Sequence, residues 1–167
     1  MTSASTFTEE AEQQHKAVRR GLELVSRRQR TESDLRERLS ERFDEQYVGH
    51  AITRLTELDY VDDAAWAIDY ASRARSMQAS ASLLRRELLR AGVSAEEADA
   101  ALDGHDDHAA ALRAAERRMP SLRRLTPEQR SRRLASYLQR RGFNWSTVQS
   151  AMQSALSALE VSAATSA

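Results

Sequence analysis

Cysteine is missing from the chain, which rules out disulfides and thiolate metal sites and makes the reducing cytoplasm the expected compartment. Proline occurs twice and glycine five times, so little in the sequence interrupts regular structure. Nowhere do about 18 apolar residues run together, so no bilayer-spanning helix is expected. The opening MTSASTFTEEAEQQ is polar and acidic and lacks the basic start and apolar stretch of a secretory signal. Lysine is present once, as Lys16, so the 25 basic residues that balance 25 acids are otherwise all arginine. What remains is Ala, Leu, Arg, Glu and Gln, the residues that lose least on entering a helix. An all-α fold is therefore expected, with enough apolar residues (41%) to bury a core.

Three segments resemble one another at intervals of about 50 residues: LRERLSERFDEQYVGHAI from Leu35, LRRELLRAGVSAEEADAAL from Leu84 and LASYLQRRGFNWSTVQSAM from Leu134. Each opens with leucines four apart, Leu35/Leu39, Leu84/Leu88 and Leu134/Leu138, which places both on one helical face. Gly92 and Gly142 then offer a left-handed helix stop, followed by Val93 or Phe143 to fold back on it. Asp44, Ser94 and Asn144 are cap residues for the next helix, and Ser94 with Glu97 has the spacing of a capping box. Phe43, Val93 and Phe143 stand five positions before Val48, Ala98 and Val148, as in a hydrophobic staple.

A further helix is expected before each pair, over residues 15–28, 63–77 and 107–119. Thr31, Ser80 and Thr126 are the expected caps of the middle helices, the last supported by Pro127 and Gln129. Asp62 or Asp63 is expected to cap the fourth helix. The layout is a mobile segment over 1–14, repeats over 15–59, 60–104 and 105–159, and a mobile tail over 160–167. Three such three-helix sets are too small to stand alone, so they are expected to stack into an elongated, curved array. Leu55, Leu58, Trp66, Ile68 and Tyr70 are expected to fill the first joint, and Trp145 either packs on the last repeat, the better-supported reading, or anchors a partner as exposed tryptophans do.

In order and spacing, LVSRRQRTESDLRERL, ITRLTELDYVDDAAWAIDYASRAR, LRRELLRAGVSAEEADAAL and LASYLQRRGFNWSTVQSAM resemble the RecX family of recombinase regulators, over about residues 15 to 156. The resemblance implies a cytoplasmic bacterial protein of three tandem three-helix repeats that binds the RecA filament and usually inhibits its ATPase and strand exchange, in recombination, repair and the SOS response. One departure stands out. Where the family carries a glycine before the apolar residue of its first repeat, this chain reads ERFDEQ, with Arg42 before Phe43 and one residue fewer. The first turn is expected to close differently.

Arginines gather on the first and second helices of each set, while the third helices of the first two sets begin with acids. Such a stripe suits an acidic or phosphate-bearing partner. The candidate contacts to a RecA filament or its DNA are Arg27, Arg28, Arg30, Arg36, Arg73, Arg75, Arg85, Arg86, Arg140 and Arg141. The plainer reading of any one of them is a solvated side chain paired along its own helix, as Glu32 and Arg36 would be. The alternative function is a helix-turn-helix transcriptional regulator. Against it, the turns that would meet base edges read DEQY, SAEE and NWST, two of them acidic and none with an arginine to reach guanine. Weak contact with single-stranded DNA fits the arginines, though no aromatic platform supports it.

The HDDH run at 105–108 has a tempting metal-ligand look, but following Gly104 it is better suited to turning and capping the chain. No phosphate loop, nucleophile elbow or paired acids in a pocket can be discerned. The expectation is a monomeric, non-enzymatic protein without cofactor, metal or membrane contact.

Overall fold

The computed structural model describes the backbone of residues 3–73 and 76–165 and the side chains of 9–73 and 77–157. Among the described residues there are nine α-helices and no strand. They are α1 (Ser3–Arg27), α2 (Glu32–Ser40), α3 (Glu45–Glu57), α4 (Asp63–Ser72), α5 (Ala81–Arg90), α6 (Ala95–Ala101), α7 (Asp107–Arg118), α8 (Pro127–Arg140) and α9 (Trp145–Thr165). Short 3-10 turns cover Ser76–Gln78 and Met119–Leu122. Three sets of three helices follow one another as the repeat predicts. The first helix of the first set differs: α1 starts at Ser3, well before residue 15, and so takes in residues 3–14 of the segment expected to be mobile, whose first two residues lie outside the described ones.

The chain forms two compact units, one of residues up to Asp69 with Leu88–Ala101, the other of Tyr70–Glu87 with Leu102 onward. In the first, Ala17 and Leu24 of α1, Leu35 and Leu39 of α2, and Val48, Ala51, Ile52 and Leu55 of α3 make one buried cluster. In the second, α7 contributes a face of Ala110, Ala111, Ala114 and Ala115, joined by Leu134 and Leu138 of α8 and Val148, Ala151 and Ala155 of α9. Alanine on α7 lets backbones approach closely, so the leucines of α8 supply most of the bulk, each worth about 2–5 kcal/mol against truncation to alanine.

Local chemistry sets most boundaries. Thr31, Ser80 and Thr126 accept the N–H of Asp34, Leu83 and Gln129 at 3.2, 3.2 and 3.3 Å. Ser94 and Glu97 exchange the two bonds of a capping box at 3.2 and 3.1 Å. Asn144 accepts from Thr147 N–H at 2.9 Å, whereas Asp44 makes no side-chain cap bond. Gly92 and Gly142 adopt φ +90° and +85°, and Val93 and Phe143 donate to Leu88 and Leu138 carbonyls five residues back, the expected Schellman closure. The first repeat closes one residue sooner, with Phe43 N–H to the Leu39 carbonyl at 3.0 Å and no left-handed residue.

The three aspartates between α3 and α4 serve the architecture. Asp59 takes φ +57° as the left-handed end of α3. Asp62 accepts from Ala65 N–H at 2.8 Å, capping α4. Asp63 Oδ1 reaches α2 and accepts the N–H of Glu32 at 2.8 Å. Of the five residues expected to fill the first joint, Leu55 is buried, Trp66 and Tyr70 are half-buried, and Leu58 and Ile68 are exposed, at 43% and 60%. Trp145 is also exposed, at 55%, because Phe143 takes the inward staple position and leaves the first residue of α9 facing out.

Candidate partner-binding site

Arginines divide by whether the fold has already neutralised them. In the first repeat most are spoken for. Arg20 pairs with Glu23 at 3.0 Å, Arg36 with Glu32 at 3.0 Å and with Glu45, and Arg54 with Glu57 at 3.0 Å. Asp34 is a hub, with Arg30 bonded to it, Arg38 at 3.1 Å and Arg28 at 3.5 Å. The side chain of Arg30 is only 9% exposed, and it also donates to the Leu24 carbonyl at 3.2 Å, tying the end of α1 to α2.

Burial pushes the Asp34 carboxyl up, but the hydrogen bonds and charges of Arg30 and Arg38 together outweigh this and hold it below the ordinary range. A carboxyl that titrates lower when folded stabilises above its unfolded value and loses that contribution as pH falls through the folded value. The urea midpoint of Asp34→Asn should therefore trail wild type most near neutrality, with the gap shrinking below about pH 4. Arg30→Ala should cost about 2 kcal/mol, since a nearly buried charged donor is lost.

The ten candidates thus separate. Arg30 and Arg36 are held within the scaffold, and Arg28 is exposed with a long pair to Asp34. Arg141 is half-buried; it donates to the Gln78 carbonyl at 3.2 Å and lies over the Tyr137 ring at 5.2 Å. Arg73 is exposed and Arg85 half-buried, while Arg75 falls outside the described residues. Arg27, Arg86 and Arg140 are exposed and take part in no ion pair among the described residues.

Among the described residues, most arginines without an ion pair lie in the third repeat, of which only Arg140 and Arg141 are among the ten candidates. LRAAERRMPSLRRLTPEQRSRRLASYLQRR, residues 112 to 141, holds ten arginines and only two acids, Glu116 and Glu128. Leu134 and Leu138 turn one face of α8 into the core, and Arg132, Arg133 and Arg140 all lie exposed on it. Arg140 is seven and eight residues beyond the other two, so the three share one outward face. Arg123 and Arg124 are exposed just before α8, and Arg117 at the end of α7. None of these six has an ion pair among the described residues. Glu128 is four residues before Arg132, but it is drawn to the helix start, where its own backbone N–H and then the Thr126 hydroxyl hold its carboxyl low. Two further third-repeat arginines are used internally: Arg130 on the carbonyls of Arg123 and Leu125 at 3.3 and 3.2 Å, and Arg118 over the Tyr137 ring at 5.5 Å.

The signal was available in sequence. First-repeat arginines have carboxylates three or four residues away, and third-repeat arginines largely do not.

The HDDH run has structural duties. Asp106 caps α7 through the N–H groups of His108 and Ala109 at 2.8 and 3.0 Å, and the Ala109 bond leads in holding its carboxyl low. Asp107 accepts the N–H of Ala81 at 2.7 Å, and His105 Nε2 is 2.9 Å from the Ala79 carbonyl. Among the described residues no group of three or more His, Cys, Asp or Glu side chains is arranged to hold a metal. Likewise, no described helix is long and apolar enough to cross a membrane.

Helical throughout its described residues and built of three sets of three helices, the chain has the architecture of a helical-repeat protein. Residues 105–152 match the model of the RecX third three-helix domain. Regulatory protein RecX of Chlorobaculum tepidum is 31% identical over 134 residues, 79% of this chain and 83% of the relative. RecX of Pelodictyon phaeoclathratiforme is 28% identical over 79% of this chain and 84% of its own. The crystal structure of RecX from Lactobacillus salivarius superposes with a TM-score of 0.71 at 19% identity, over 87% of this chain and 97% of that one. Another RecX crystal structure gives 0.77 at 23% identity, over 92% and 78%, so both show the shared fold. The chain belongs to the RecX family of regulatory proteins.

Proposed function

We propose that this chain binds the RecA–DNA filament in the bacterial cytoplasm and inhibits its ATPase and strand exchange, as a regulator without catalytic chemistry of its own. Membership of a family of regulatory proteins supports the reading. The observation that carries it to a surface is the set of unpaired arginines on and around α8, namely Arg117, Arg123, Arg124, Arg132, Arg133 and Arg140, with Arg27 and Arg86 as further contacts.

A filament offers the same acidic and phosphate groups at regular intervals, so several modest contacts made by one chain raise the effective concentration of each. Bridging neighbouring subunits then opposes the rearrangements that accompany nucleotide turnover. The test is RecA ATPase on single-stranded DNA with increasing amounts of this protein. Dose-dependent loss of turnover is expected; an unchanged rate at saturation removes the regulatory reading, and tighter, sequence-dependent binding to bare duplex would favour a transcription regulator.

A further inference from the structure

Two hydrogen-bonded arrangements in the molecule share one plan, a bond from the amide after a cap to a helix-leading aspartate with the cap donating to a glycine turn, although the cap uses its hydroxyl in one and its backbone N–H in the other. In the first, the cap of α2, Thr31 (1% exposed), donates its hydroxyl to the Ala91 carbonyl at 2.6 Å, in the turn that ends α5. The next residue, Glu32, gives its N–H to Asp63 Oδ1 at the start of α4, at 2.8 Å. Gly92 of the same turn sits against Ser33, whose Cβ would be 2.2 Å from any Cβ added there. In the second, the cap of α5, Ser80 (fully buried), donates its N–H to the Arg141 carbonyl at 3.0 Å, in the turn that ends α8. The next residue, Ala81, gives its N–H to Asp107 Oδ1 at the start of α7, at 2.7 Å. Gly142 sits against Ser80, whose Oγ would be 2.3 Å from an added Cβ. In both, the start of one repeat's middle helix lies on the glycine turn and the leading aspartate of the next repeat.

The two outer ends lack the parts. The residue after the third cap, Thr126, is Pro127, which has no N–H to give. Thr126 itself is exposed. At the other end, the turn after α2 has Arg42 instead of glycine and is one residue shorter. α1 also runs on past the position where α4 and α7 begin with their aspartates, and its Glu9, Glu10 and Gln13 border a groove with Arg42 and Phe43.

We infer that consecutive repeats are fastened by one clasp used twice, whose working bond runs from the amide after each cap to the next repeat's aspartate, and that Pro127 and the Arg42 turn are end-stops where the clasp is withheld. The first repeat's turn, bordered by Glu9, Glu10 and Gln13 of α1 and not by another repeat's cap, thus has no need of a glycine. The clasp also gives Pro127 a role beyond starting α8, because a proline there leaves no unanswered donor at the open end.

Proline is well tolerated at the first position of a helix, so substituting it at each equivalent site isolates the clasp. Thr31 has φ −74° and ψ 158°, close to the −62° and 157° of Thr126 before Pro127, so position 32 accepts proline without backbone strain. Thermal unfolding of Glu32→Pro and Ala81→Pro should show midpoints lowered by roughly 5 °C. Pro127→Ala should unfold within a degree or two of wild type, and Glu32→Ala, which keeps the amide but loses the Arg36 pair, should change little. Asp63→Ala should match Glu32→Pro, and the double variant should be no worse than either alone, because both remove one bond. Asp63→Asn keeps the acceptor oxygen and should hold or raise the midpoint, since burial pushes the Asp63 carboxyl up beside Glu97, Glu32 and Asp62. Wild-type midpoints for Glu32→Pro and Ala81→Pro, or fully additive losses in the double variant, would overturn the clasp. A loss in Pro127→Ala equal to theirs would overturn the end-stop.

Discussion

Alanine at position 142 is expected to destabilise the protein by about 2–4 kcal/mol, from two independent costs. Gly142 holds φ +85°, where a side chain strains the backbone by about 1 kcal/mol or more. The added Cβ would also lie 2.3 Å from Ser80 Oγ and 2.8 Å from Leu83 Cβ, so the start of α5 must shift. Gly92→Ala should behave alike, for its clash is with Ser33 Cβ at 2.2 Å. Gly104 has φ +71° but nothing within 4 Å, so Gly104→Ala should show the backbone cost alone. Urea denaturation of the three variants separates the two costs: equal losses at 104 and 142 would mean that contact with the preceding repeat adds nothing.

Reversing the charge of Arg132, Arg133 and Arg140 together should weaken binding to RecA-coated DNA by about a hundredfold or more, on the basis of roughly 1 kcal/mol per partly desolvated contact. Because all three are exposed and have no ion pair among the described residues, helical circular dichroism and the urea midpoint should stay near wild type. Arg36→Glu should do the reverse: it breaks pairs with Glu32 and Glu45 and lowers stability slightly, with a smaller effect on binding. A triple variant that binds as tightly as wild type would move the contact surface away from α8.

Much of the fold was legible because it is written in short-range chemistry. Leucines four apart, glycine followed by an apolar residue, and Thr126–Pro127 each act within one or two turns, and the sequence shows them directly. The long first helix was not legible, since residues 3–14 carry good helix formers but no apolar periodicity, so propensity alone had to decide. The clasps were half legible. Thr31, Ser80 and Asp63 could be read as caps, but Glu32 meets Asp63 across 31 residues and Thr31 meets Ala91 across 60, and local spacing does not reveal such pairings.

The richness in arginine was legible, but which guanidinium groups the fold engages was not. Of the ten candidates, Arg30, Arg36 and Arg141 are engaged within the fold, whereas Arg132 and Arg133, outside that set, have no ion pair among the described residues because nearby acids are absent or turned to the helix start. Exposure of Trp145 was missed for a related reason: Phe143, two residues earlier, fills the inward place.

Co-sedimentation with assembled RecA–DNA filaments across a salt series tests the central claim most directly. Wild-type protein should pellet with the filament and be released progressively as salt rises, while the Arg132/Arg133/Arg140 charge reversal stays in solution at salt concentrations where wild type is bound. Wild-type protein that remains in the supernatant at low salt would contradict the account.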